Sequence, residues 1–475
     1  MRWEAVVGIE VHVQLRTAHK LFCGDRPVFG EDPNTNVCPV CLGLPGALPT
    51  LNPDAVELAI RTALALGCTV NETSIWARKN YFYPDLPKGY QITQFERPLA
   101  TGGQVEYDGG GGSSAVRINR VHMEEDAGKS VHDRVPGATA VDLNRAGTPL
   151  VEIVTEPDLR SAADVRAFLT TLKQLLEYTE VSDCSMEEGS LRADANVSIR
   201  PVGDTELGTK TEIKNVNSFS GVEKAIELEV RRQIEVVEAG GTVHGETLLW
   251  DDHRGSLRSM RSKEESHDYR YFPEPDLPPL IVSADTIEEA RRDLPELPRA
   301  RRLRFEAEYG LTAYDAGVLT QTRSGAEYYE AAALAVGESK LAANWVMGPV
   351  QALLNARGGT LSEPVVTVES LAELVGLVRD GTISDAVGKR VLDFMADGEG
   401  SAVEIVAARG LEQVRDEGAL EAWVDEVVDA FPDEATRVRE GEARLIGFLV
   451  GQVMQRSSGK ADPRRVNELL RARLG

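Results

Sequence analysis

Five acidic or imidazole side chains stand inside strand-like segments with apolar neighbours: Glu10, His12, Glu125, Glu152 and Asp194. Successive residues of a strand point to opposite faces. In Val7–Leu15, Ile9, Val11 and Val13 therefore face one way and Glu10, His12 and Gln14 the other. In Ser190–Arg200, Leu191, Ala193, Ala195 and Val197 oppose Arg192, Asp194, Asn196 and Ser198. Glu124, beside Glu125 in His122-Met123-Glu124-Glu125-Asp126, is a further candidate. Glu152 sits in the apolar run Leu150–Val154, where an unpaired carboxylate would cost several kcal/mol. If these faces converge, they form a carboxylate-rich cavity with one imidazole. Crowded carboxylates repel, and a divalent cation relieves them. Oxygen-dominated ligation favours Mg²⁺, Mn²⁺ or Ca²⁺, and Mg²⁺ on a few carboxylates typically serves nucleotide phosphates. The same pattern also fits a solvated sheet face.

Two further clusters carry chemistry. Arg78-Lys79-Asn80-Tyr81-Phe82-Tyr83-Pro84-Asp85 and its continuation to Gln91 interleave aromatics with cations, a pattern that stacks on bases and grips phosphate, or covers a core. Asp268–Asp276 is similar in texture. Cys38-Pro39-Val40-Cys41, with Cys23 upstream and Asp25 two residues after it, offers three thiols and a carboxylate to a structural zinc. Cys68 and Cys184 sit in apolar surroundings that suit core packing. Ala127-Gly128-Lys129-Ser130 ends like a phosphate-binding loop, but Met123 stands where its first glycine belongs. A Walker-type nucleotide site is excluded, and no Gly-x-Ser-x-Gly elbow occurs.

The elements that position these groups divide near residue 290. Earlier segments alternate with period two or form helices over Asp54–Leu66, Ala162–Tyr178 and Val222–Ala239. This predicts a mixed or antiparallel sheet. After Pro295 strands nearly vanish. Arg299–Tyr309, Ala326–Val336, Leu341–Leu354, Val368–Val378 and Asp385–Met395 read as helices, and a final set runs from Leu420 to Arg473. Asp397–Ser401 reads as a linker and Tyr107–Ser114 as a flexible hairpin tip. The expected fold is α+β.

The chain has 475 residues, enough for about three domains. Hydrophobic residues make up 42 % and charged residues 27 %, which excludes disorder as the main state. No window approaches a membrane span. The lack of an export signal and an odd count of five cysteines lead us to expect a reducing cytoplasm. Net charge is −24, yet residues 444–475 hold seven basic residues against Asp462 and Glu468. A basic end on an acidic body suits a nucleic-acid partner.

Six ordered segments together resemble the GatB/GatE family of tRNA amidotransferase B subunits. They are Val7–Leu15, Arg78–Asp85, His122–Lys129, Asp142–Leu150, Met186–Arg192 and Asp268–Asp276. The resemblance spans the chain and implies a cradle domain (1–294), a helical domain (295–400) and a YqeY-like tRNA-binding tail (401–475). It implies ATP-dependent conversion of Glu-tRNA(Gln) or Asp-tRNA(Asn) to the amide. ATP would phosphorylate the side-chain carboxylate. Ammonia from a glutaminase partner, the amidase A subunit, would displace the phosphate, and a small C subunit would complete the heterotrimer. Family metal-site positions match Glu10, His12, Glu125, Glu152 and Asp194, with Glu124 beside them, for Mg²⁺ and room for a second divalent ion. Lys79 and Arg192 are candidates for holding phosphate, and Tyr81 for binding the cofactor. Zinc-bearing members carry a cysteine where Asp25 stands, so zinc would be held by Cys23, Asp25, Cys38 and Cys41 or be lost. The rival reading is a non-catalytic tRNA-binding subunit of the same complex.

Overall fold

The computed structural model describes residues 2–110, 112–260, 269–414, 416–457 and 459–475. Met1, Gly111 of the glycine run and Asp268 of the second aromatic segment lie outside them. The chain divides into two compact units, Met1–Leu297 and Pro298–Gly475, and the fold is α+β.

The first unit is built on a sheet that, among the described residues, has ten strands. Its middle runs in the order Thr211–Lys214, Leu191–Pro201, Trp3–Gln14, Pro149–Thr155 and Gly112–Glu125, every neighbouring pair antiparallel. The alternation expected for Val7–Leu15 and Ser190–Arg200 falls inside two of these strands. Ile9, Val11, Val13, Val121, Met123, Val151, Ile153, Ala193, Ala195 and Val197 are at most 2 % exposed and form one side of the sheet.

Helices Pro53–Ala65, Ala162–Tyr178 and Phe219–Glu238 bury apolar stripes in the same core. Their starts are set locally. Asn52, Ser161 and Ser218 each accept a backbone N–H of the first turn with the side chain, and Pro53 occupies the first helical position, where no N–H is needed. The polar residues of these strands lie on the sheet's opposite face. A small three-stranded sheet, Trp76–Asn80, Tyr90–Gln94 and Phe272–Pro273, also belongs to this unit, and its Tyr90–Gln94 strand touches the Gly112–Glu125 strand.

The second unit is helical and holds two apolar clusters, one from Phe305 to Val406 and one from Leu420 to Leu474. The glycine-bearing Asp397–Ser401 joint is followed by one more helix of the earlier cluster, Ala402–Arg409. Ser401 and Glu404 form a reciprocal cap there, and Ala402, Ile405 and Val406 pack inward. The helix expected over Leu341–Leu354 is interrupted by a wider π-type turn, Val346–Val350. Pro349 lies inside it and cannot donate to the helical ladder. Among the described residues no helix is long and apolar enough to cross a membrane.

Candidate metal and phosphate site

Strand register brings the polar residues together. His12 stands opposite Glu152 on one side and Arg192 on the other, Glu10 opposite Asp194, and Glu152 opposite His122. Glu124 lies opposite Leu150, two residues from His122, so all of these share the polar face. His12 Nε2 is 3.4 Å from Glu152 Oε2 and 3.5 Å from Glu124 Oε1. His12, Glu124 and Glu152 each aim one ligand atom into a space in which all lie within 4.8 Å of one another. Glu124 is 1 % exposed and accepts a bond from Thr93 Oγ1 at 3.2 Å.

The electrostatics are those of a crowded acidic site. Burial, followed by the charges of Glu152 and Glu212, pushes the Glu10 carboxyl above its usual value, against a bond from Asn196 at 3.0 Å. Burial would raise Glu152 as well, but His122 and His12 outweigh it and hold that carboxyl well below the usual range. Burial would lower His12, and its bond to Glu152 with the charges of Glu152 and Glu124 raises it instead. Asp194 is paired with Lys214 at 3.3 Å. A half-buried imidazole and two buried carboxylates whose ligand atoms converge fit a divalent cation by donor type and spacing.

Glu125 does not join that group. One residue further along the strand it points the other way, where it is 3 % exposed and accepts bonds from Lys88 Nζ and from the Ile92 N–H at 2.9 Å. It anchors the aromatic loop. In that loop Leu86 is buried, whereas Phe82 is 86 % and Tyr83 59 % exposed, so these two rings do not cover the core. Arg78 is bonded to Glu274 at 2.7 and 2.8 Å and to Asp276 at 3.1 Å, which removes it from phosphate binding.

Lys79 forms no ion pair among the described residues, and its ammonium lies 5.0 Å over the Tyr269 ring. Burial would lower its pKa, but Glu124 and Glu152 raise it well above the lysine norm. It is a charged group facing the cluster and available to an anion. Tyr81 donates to Gln91 at 3.2 Å, and burial pushes its phenol up. Arg192 is held by Asp126 at 3.1 Å; Asp126 also accepts from Gln14 at 3.0 Å and lies 3.6 Å from Arg145.

The other metal-type group is Cys23, Asp25, Cys38 and Cys41. Cys41 Sγ lies 3.5 Å from Cys23 Sγ, 3.8 Å from Cys38 Sγ and 3.3 Å from Asp25 Oδ2. Tetrahedral zinc with thiolates at about 2.3 Å spaces its ligands by roughly 3.7 Å, so the donors fit. The hydrogen bond from Cys23 and the charge of Lys20 bring Cys41 down to about 6, whereas that same bond and then burial push Cys23 up. Lys20 is fully buried, 3.5 Å from Cys41 Sγ and 2.7 Å from the Asn36 carbonyl. Cys68 and Cys184 are core residues.

Sequence reasoning missed His122, Asp126 and Lys88. His122 shares Glu124's parity, which alternation could have revealed. The Lys88 and Asp126 bonds depend on loops folding back, which no period encodes. Gly128 has a packing role: a Cβ there would lie 2.9 Å from the Asp85 and Asp142 carbonyls, and its N–H donates to the Asp85 carbonyl at 2.9 Å.

A polar sheet face, a lysine-bearing small sheet and a helical second unit define the chain. Residues 5–288 match the GatB/GatE catalytic domain, and residues 327–474 match a GatB domain of YqeY type. The B subunit of the aspartyl/glutamyl-tRNA(Asn/Gln) amidotransferase of Chlorobium limicola is 52 % identical over 474 residues, covering 100 % of both chains. The protein of that name from Syntrophotalea carbinolica is 53 % identical over 474 residues, covering 100 % of this chain and 99 % of its own. That from Moorella thermoacetica is 52 % identical over 477 residues and covers both fully. Fold, domain content and full-length likeness agree, and the chain belongs to the GatB/GatE family.

Proposed function

We propose that this chain is the B subunit of an aspartyl/glutamyl-tRNA amidotransferase and carries its ATP-dependent step. The observation that carries this is the meeting of His12, Glu124 and Glu152, flanked by Glu10 and Asp194 and faced by Lys79, which forms no ion pair among the described residues, in a chain of this family. The substrate is Glu or Asp esterified to tRNA(Gln) or tRNA(Asn). Its side-chain carboxylate attacks the γ-phosphorus of ATP, releasing ADP and leaving an acyl phosphate. Ammonia then adds to that carbonyl, phosphate departs, and the amide forms.

Both partners of the first step are anions, and a bound divalent cation, magnesium in this reading, supplies charge neutralisation. His12, Glu124 and Glu152 hold it, with Glu10 and Asp194 beside them. Lys79 faces the phosphates. Arg192, steadied by Asp126, adds a second cation at the end of the cluster. Tyr81 and Tyr269 wall the Lys79 side of the site. Glu125 positions the Lys88 loop. The acyl phosphate is itself the electrophile, so no protein nucleophile is required.

Ammonia comes from the amidase A subunit, and the small C subunit makes up the heterotrimer. Zinc held by Cys23, Asp25, Cys38 and Cys41 is structural. In our reading residues 1–294 are the catalytic cradle, a helical domain runs from 295 through the Ala402–Arg409 helix that packs with it, and the remainder to 475 is the tRNA-binding tail, working in the cytoplasm. Among the described residues, three of the seven basic residues of 444–475 are ion-paired locally: Arg456 with Glu426, Arg465 with Glu417 and Glu468, and Arg473 with Asp425. Arg444, Lys460, Arg464 and Arg471 form no ion pair among the described residues and are the stronger phosphate contacts.

The test is reconstitution with the amidase and the small partner. Each misacylated tRNA is supplied with ATP, Mg²⁺ and glutamine, and amidated aminoacyl-tRNA is measured. The trimer is expected to amidate at least one of them, and the isolated chain to fail with glutamine. ATP consumption without aminoacyl-tRNA would overturn the reading.

A further inference from the structure

We propose that His122 is a positioning residue of this centre: its Nε2–H holds Glu152 so that the carboxylate faces the cation, leaving His12 free to ligate. This rests on the reading of His12, Glu124 and Glu152 as cation-holding groups. It assigns a role to a side chain that neither the sequence patterns nor the family resemblance singled out.

His122 lies directly opposite Glu152 in register and is 4 % exposed. Its Nε2 is 3.1 Å from Glu152 Oε2 and 3.9 Å from Glu124 Oε2. Its Nδ1 is buried and has no hydrogen-bond partner among the described residues. A buried ring with one orphaned nitrogen is tolerated best when that nitrogen is an unprotonated acceptor, because a buried N–H without a partner costs more than an empty lone pair. The proton therefore sits on Nε2, and the ring donates to Glu152.

The two imidazoles differ in what they can do. His12 Nε2 lies 3.4 Å from the same Glu152 oxygen and also faces Glu124. To bind a cation it must present a bare Nε2 lone pair, so it cannot at the same time donate to Glu152. His122 is then the remaining donor to that carboxylate among the described residues. Ligating carboxylates are oriented by such outer bonds, and losing one typically lowers metal affinity 10- to 100-fold. Without His122, Glu152 turns toward His12 and competes with the cation for it.

The experiment titrates Mn²⁺ into the full chain and reads free Mn²⁺ by electron paramagnetic resonance. Native protein is compared with His122→Leu and His122→Gln. Leucine is expected to weaken binding about 10- to 100-fold. Glutamine, whose amide N–H can reach the same oxygen, is expected to return it to within about threefold of native. Thermal unfolding of each variant reports whether the fold is intact. On native protein, ¹⁵N resonances of His122 are expected to show a proton on Nε2 and a bare Nδ1, a result that needs no variant to fold.

Native affinity in folded His122→Leu, no recovery in folded His122→Gln, or a proton on Nδ1 each overturns the role of His122 and leaves the metal centre standing. A native chain that binds no Mn²⁺ overturns the centre itself.

Discussion

The two units treat charge in opposite ways. In the first, His12, His122, Glu10, Glu124 and Glu152 are crowded on one sheet face, and Lys79 is left without an ionic partner among the described residues. In the second, many charges are settled by local ion pairs. Arg301 and Arg304 both hold Glu330, Arg357 holds Asp397, and Arg473 holds Asp425. Neutralised pairs stabilise a helix packing and ask for nothing further. A gathered set of like charges is stable only if something else completes it. The contrast separates groups kept for a ligand from groups kept for the fold.

Removing a gathered charge should break function first. Glu152→Gln is expected to lower amide formation by the reconstituted trimer by about 10²–10³-fold, with aminoacyl-tRNA binding changed little. A purely tRNA-binding protein would show no such loss. At the thiol group, Cys41→Ser or a zinc chelator is expected to remove one metal per chain and lower the melting temperature by roughly 5 °C. Calorimetry with metal analysis checks both, and an unchanged melting curve would deny the metal a structural part.

Effects in the second unit should be smaller. Glu330→Gln removes the Glu330 carboxylate from Arg301, which is 7 % exposed, and is expected to cost about 1–2 kcal/mol in urea unfolding. Burial would raise the Glu330 carboxyl, but Arg301 and then Arg304 hold it below its usual value. A depressed carboxylate contributes above its unfolded value and loses that contribution as pH falls through its folded one. The variant's deficit should therefore be full at neutral pH, begin to shrink as pH falls below the ordinary glutamate value of about 4.3, and vanish only below the depressed folded value. Smallest of all, Arg464→Ala is expected to weaken tRNA binding a few-fold and reduce the salt slope by about 1. Arg473→Ala, whose charge already faces Asp425, should move it less. Equal effects would blur the contrast.

Much of the site was legible. The alternation of Val7–Leu15 and Leu191–Arg200 already puts Glu10, His12 and Asp194 on the face away from Val11 and Ala193. Glu152 in its apolar run announced a partner, and it has two. The alternation did not separate Glu124 from Glu125. Adjacent acids are equivalent until a neighbouring strand sets the parity, and that is decided by Leu150 lying opposite Glu124. The bonds of Lys88 to Glu125 and Asp126 to Arg192 join segments 37 and 66 residues apart, beyond any local period. In the second unit, the Ala313–Leu319 helix was too short for periodicity to find, and the Val346–Val350 turn keeps the apolar spacing of a helix while changing its winding.

Gly128 shows how far the site's integrity extends beyond its reactive groups. The aromatic loop rests there on bare backbone, and Ser130 fastens the same Asp85 at 2.9 Å. A methyl group at that spot has no cavity to enter, so the loop itself must lift. Lys88 rides on that loop, and with it goes the grip on Glu125 at the end of the strand that carries Glu124. A lesion in a residue with no side chain would thus imitate the loss of a reactive carboxylate, leaving an intact core and a silent enzyme.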